Sequence, residues 1–125
     1  MFSDEQNDVL SLLAATIFAD KHVYVSEIDM FTEVVLELTS LSQTTPELSE
    51  AKVLTWYEMN KDDIRQKVIA PYFKDWFYSL LDRISKVEDK PAILTAMEKI
   101  SLADGSVHVG ERTLIMLAKQ HWKLD

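Results

Sequence analysis

The chain has 125 residues, 47% of them hydrophobic and 27% charged, which is the balance of a globular domain able to bury a core without staples. It contains no cysteine, so disulfides, thiolate metal sites and cysteine nucleophiles are excluded. The net charge of −8 is concentrated at one end: residues 1–50 carry ten acids against the single base Lys21, whereas residues 51–125 carry eleven acids and twelve bases. Such an acidic half repels phosphate backbones, so no nucleic-acid partner is expected, and cations or basic proteins are the favoured clients.

With two glycines and three prolines, frequent capping signals and no sustained period-2 alternation, the chain reads as all-α, with seven helices in one domain spanning 1–125. The first helix runs from Asp4 to Ala19, opened by the capping box Ser3-x-x-Gln6. A second runs from Glu27 to Thr39 after the cap Ser26, with the apolar line Ile28, Phe31, Val35, Leu38 at helical period. Ser40 to Thr45 is a loop, and Pro46 sits in the first turn of a third helix that Thr44 caps and that continues to Met59. Asn60, with Asp62 and Asp63, opens a short fourth helix interrupted by Pro71.

The fifth helix, Pro71 to Lys86, carries Phe73, Trp76, Phe77, Leu80, Leu81 and Ile84 on one side and is expected to be the central packing element. The aromatic group Trp56, Tyr57, Tyr72, Phe73, Trp76, Phe77 and Tyr78 has helical spacing and is read as core. Asp89 caps a sixth helix with Pro91 in its first turn, ending near Ala103, where Gly105 offers a left-handed cap. The seventh runs from Glu111 to Trp122 after the cap Gly110. The longest apolar run, Val9 to Ala19, is too short to span a bilayer, and the N-terminus lacks the basic start of a signal peptide, so a cytoplasmic protein without membrane insertion is expected.

One pattern occurs twice. The stretch ADxxVxVxE appears from Ala19 to Glu27 and again from Ala103 to Glu111, at an offset of 84 that also matches Leu10 with Leu94 and Leu13 with Met97. The chain therefore divides into repeat units at about 4–39 and 88–122 around a helical middle segment, 46–86. At about 100° per residue, Glu27 falls among Phe31, Val34, Val35 and Leu38, and Glu111 falls among Leu114, Ile115, Ala118 and Trp122. Asp20 continues the line Leu13, Thr16, Ile17, and Asp104 continues Met97, Ile100. Four carboxylates thus point inward, and burying one unpaired costs several kcal/mol.

Two accounts satisfy them. Asp20 and Asp104 accept from the amides of the loops that follow, while Glu27 and Glu111 reach back to the first-turn amides of their helices. Alternatively, the carboxylates of one or both units, Asp20 with Glu27 and Asp104 with Glu111, supply direct or water-bridged oxygens to a divalent cation, Ca²⁺, Mg²⁺ or Mn²⁺. Asp20 to Glu27 spans eight positions where a standard calcium loop has about twelve, so this is no EF-hand. His22 and His108 occupy different repeat positions and are read as solvated rather than as metal ligands; His121 is read as a helix-end cation. Asp29, Glu33 and Glu37 stand four apart on the outer ridge of the second helix, either as a solvated face or as a docking strip for a basic partner.

The paired helix-loop-helix units bearing this acidic motif, separated by a helical segment in a small acidic chain, resemble the TerB-like family. That family includes the tellurite-resistance protein TerB and the N-terminal domain of a membrane-anchored J-domain co-chaperone. The second copy, Ala103-Asp104-Gly105 to Glu111, is the closer match; the first has Lys21 where a glycine is usual. The resemblance implies a bacterial stress-response or tellurite-resistance module that binds a protein partner, basic or membrane-associated, with an acidic metal site at Asp20, Glu27, Asp104 and Glu111. No nucleophile, phosphate loop or ordered polar set accompanies the acids, so an enzyme is not expected. The alternative is a purely structural interaction domain with an acidic docking face and no metal.

Overall fold

The computed structural model describes residues 2–19, 25–38, 48–84, 90–103, 105 and 109–124. Six helices occupy them, and no strand: α1 (Asp4–Phe18), α2 (Val25–Glu37), α3 (Glu50–Ile69), α4 (Phe73–Ile84), α5 (Lys90–Leu102) and α6 (Val109–His121). None of them is long and apolar enough to cross a membrane. The expected Thr44 cap, Pro46 turn, Ser40 to Thr45 loop and Asp89 cap all lie outside the described residues.

The N-terminal capping box forms as the sequence predicts: Gln6 N donates to Ser3 Oγ at 3.2 Å and Ser3 N donates to Gln6 Oε1 at 2.8 Å. At the other end of the chain the backbone turns out of α6 through Lys123, at φ 58°, where Leu124 N donates to Lys119 O at 2.9 Å. Gly105 follows α5 at φ 90°, the left-handed conformation expected of it, with its amide donating to Leu102 O at 3.0 Å.

Two expected helices are one. The third and fourth fuse into α3, capped by Ser49, whose Oγ accepts from Lys52 N at 3.3 Å. Asn60 does not open a helix: its Nδ2 donates to Trp56 O at 2.8 Å, four residues back along an unbroken ladder. Asparagine lowers helix propensity by only a few tenths of a kcal/mol, less than the burial of Trp56, Tyr57 and Ile64 on either side of it contributes. Pro71 does end the helix. Ala70 before it is extended at ψ 151°, as the residue preceding a proline must be, and α4 starts two residues beyond Pro71 rather than at it.

The central helix is α1, not the segment 71–86. It packs against all five others and buries Val9, Leu10, Leu12, Leu13, Ala14, Ala15, Thr16, Ile17 and Phe18 around its whole circumference. Helix α4 separates apolar from polar residues sharply, and that separation leaves one side in water, so it belongs at the periphery. Two polar contacts fix the helices around α1: Trp56 Nε1 donates to Asn7 Oδ1 at 2.9 Å, and Arg83 Nε donates to Asp8 Oδ2 at 3.1 Å. Trp122 Nε1 donates to Leu81 O at 3.1 Å, tying the end of α6 to α4. All six helices contribute to one apolar cluster, represented by Leu13, Phe31, Val53, Phe77, Ile93 and Leu114.

Candidate functional site

Helices α2 and α6 start at Val25 and Val109 and end at Glu37 and His121, so each bound of the second lies 84 residues after that of the first. Both begin two residues earlier than expected. Ser26 and Gly110 are therefore inside the first turn instead of capping it, a placement that costs little because first-turn amides have no intrahelical acceptor. This earlier start puts Glu27 and Glu111 at the third helical position of their helices. Val25 and Val109 are 74% and 80% exposed, whereas Glu27 and Glu111, rotated from them by about 200°, are 0% exposed.

The inward direction of both glutamates is thus as the periodicity predicts. The third position is also where a glutamate can reach back to the amide of the capping residue. Favourable interaction with the positive end of the helix dipole contributes about 0.3–1 kcal/mol, less than the several kcal/mol that burial of a carboxylate costs, so local helix electrostatics alone do not offset it. Asp20 and Asp104, together with His22 and His108, lie outside the described residues. Among the described residues no group of three or more His, Asp or Glu is placed to hold a metal ion.

The charge of Glu27 acts on Tyr57, which lies in an aromatic group. Tyr57 stacks on Phe18 with centroids 6.1 Å apart and packs obliquely on Phe31 at 5.9 Å, while the Arg65 guanidinium lies over the Phe18 ring at 5.0 Å. Burial pushes the Tyr57 hydroxyl above its usual pKa; Arg65 opposes the shift, and the charges of Glu58, Glu27 and Asp62 add to it. A phenol whose pKa is raised on folding contributes stability below its unfolded value of 10.0 and loses that contribution as pH rises through the folded value. Tyr57→Phe should therefore lose less stability than the wild type when urea midpoints are compared below and above pH 10.0; equal losses would show that Tyr57 does not couple ionisation to folding.

The acidic ridge is exposed along its length at Asp29, Glu33 and Glu37. Glu37 Oε2 accepts from Lys99 Nζ of α5 at 3.4 Å, an exposed pair worth at most about 1 kcal/mol. Asp29 and Glu33 form no ion pair with another described residue. His121, at the end of α6, sits with Nε2 2.6 Å from Asp82 Oδ1 and stacks on Tyr78 at 5.2 Å. Of the aromatic group, Trp56, Tyr57 and Phe77 are buried, Phe73, Trp76 and Tyr78 are half-buried, and Tyr72 is exposed.

Sequence reasoning missed an open groove of about 670 Å³ between the start of α1 and the middle of α3, lined by Phe2, Asp4, Asn7, Trp56, Met59 and Asn60. Its signal was Met59, one turn beyond Trp56 and 80% exposed, a large apolar side chain that the core does not use. No protein family, curated protein or solved structure matches the chain.

Proposed function

We propose that the protein is a TerB-like helical binding module of a bacterial stress-response or tellurite-resistance system, cytoplasmic, acting through protein contacts and holding a divalent cation at its repeated acids. The observation that supports this reading is the placement of Glu27 and Glu111: the same position of two helices 84 residues apart, each a fully buried carboxylate. Oxygen donors of this kind suit a hard cation, which takes six or more ligands. In one or both units the glutamate, Glu27 or Glu111, would supply part of such a shell, and the aspartate of the same unit, Asp20 or Asp104, with loop carbonyls and water, the remainder.

A second reading is favoured by the same helical position. A glutamate in the first turn can satisfy the amides there, and then both units are structural and the exposed ridge Asp29, Glu33, Glu37 is the functional surface. Thermal melting separates the two. At about a hundredfold excess over the dissociation constant, a bound cation stabilises by about 2.7 kcal/mol, which raises the melting temperature on the order of 10 °C for a domain of this size. The expected result is such a rise with Ca²⁺, Mg²⁺ or Mn²⁺ and its loss in Glu111→Gln. No response to any of the three up to millimolar concentration leaves the structural reading.

A further inference from the structure

The outer faces of α2 and α6 are complementary. On α2, taking Val25 as the origin, exposed Leu36 lies at about +20°, Asp29 at about +40° and Glu33 at about +80°. On α6, taking Val109 as the origin, exposed Met116 lies at about −20°, Arg112 at about −60° and Lys119 at about −80°. Each face is therefore an apolar line with a charged flank, acidic on one helix and basic on the other, and the flanks have opposite hand. Arg112, Lys119 and Lys123 form no ion pair with another described residue, and no described acid of α6 is exposed.

Opposite hand decides the orientation. When two helices face each other in parallel, the positive-angle flank of one meets the negative-angle flank of the other, so acids meet cations and Val25 and Leu36 meet Val109 and Met116. An antiparallel crossing sets the acids against the uncharged positive-angle flank of α6, where exposed Thr113 lies at about +40° and Gln120 at about +20°, and leaves Arg112 and Lys119 without them. The axial spacing of the charges agrees with the parallel arrangement, and Leu36 falls about one turn beyond Met116. With Val25 level with Val109, Asp29 stands about 6 Å along its helix and Arg112 about 4.5 Å, Glu33 about 12 Å and Lys119 about 15 Å.

From this match we infer that the protein associates with itself, the outer face of α2 in one copy packing in parallel against the outer face of α6 in a second. This names the partner of the acidic ridge and rests on reading that ridge as a docking surface. The contact is heterologous: a pair keeps one unused face of each kind, the α6 face of one copy and the α2 face of the other, so assembly continues into chains or closes into a ring. Charge complementarity supplies orientation and salt sensitivity, and the apolar lines Val25, Leu36 and Val109, Met116 supply buried area.

Sedimentation velocity over a concentration series at low salt tests it. The sedimentation coefficient of the wild type should rise with concentration and fall back as salt is added. The double reversals D29K/E33K and R112E/K119E should each weaken association by roughly tenfold or more, all four positions being exposed so that the fold is spared. An equimolar mixture of the two reversed proteins should recover a complex, since one wild-type face of each kind remains. The charge-neutral pair E33Q and K119Q, with smaller losses, guards against misfolding of the reversals. A wild type that stays monomeric throughout, or reversals that leave association unchanged, overturns the inference. A lysine-rich peptide that binds the monomeric wild type and not D29K/E33K would remove self-association while leaving the ridge as a docking strip for another basic protein.

Discussion

Leu13→Ala is expected to lower the free energy of unfolding by about 3–5 kcal/mol, the upper part of the range for a leucine removed from a core that cannot collapse around the gap. Leu13 is fully buried in α1, the helix against which all the others pack. Neighbours on several sides hold the space open, so little of the cavity relaxes. Because small domains are stable by only about 5–15 kcal/mol, such a loss is a large fraction of the total. Urea denaturation followed by far-ultraviolet circular dichroism measures it, with Met59→Ala as the control: Met59 is 80% exposed and its truncation should change stability by less than about 0.5 kcal/mol. A cost for Leu13→Ala under about 1.5 kcal/mol would mean that α1 is not the centre of the packing.

Asn60→Pro is expected to cost about 3 kcal/mol or more, which lowers the ratio of folded to unfolded molecules by roughly a hundredfold or more. In an unbroken α3 the amide of Asn60 bonds within the helix, and a proline there removes that donor and clashes with the preceding turn. Both halves of α3 are anchored, Trp56 by its bond to Asn7 and Ile64 by burial, so neither can swing away to relieve the clash. Asn60→Ala removes only the side-chain bond to Trp56 O and gains helix propensity, so it should be near neutral. If a helix instead began at Asn60, proline would occupy a first-turn position and be tolerated. The comparison of the two variants by denaturation therefore distinguishes one helix from two, and equal stabilities would refute the continuous α3.

The repeated motif shows how far local periodicity reaches. The inward direction of Glu27 and Glu111 followed from the angle between each acid and the apolar residues of its own helix, which is set by 3.6 residues per turn and nothing more distant. The start of those helices was misplaced because Ser26 and Gly110 look like caps by residue type, yet a first-turn site accepts them equally. Of the groove beside Trp56 only Met59 is legible in the sequence, as an apolar residue off the core line of its helix; the other wall comes from Phe2 and Asp4, a remote part of the chain.

The same distinction separates the two halves of the fold problem. Sequence alone determined that the chain is helical, where Ser3 and Pro71 punctuate it, that Gly105 takes a left-handed turn, and which side of α2 and α6 carries the buried acids, because each of these depends on residues within one or two turns of each other. Only the tertiary structure decided that α1 is central, that α3 runs unbroken through Asn60, and that Asn7 meets Trp56 and Glu37 meets Lys99. Those outcomes depend on burial shared between distant elements, and burial is a property of the assembled core that no local window of residues contains.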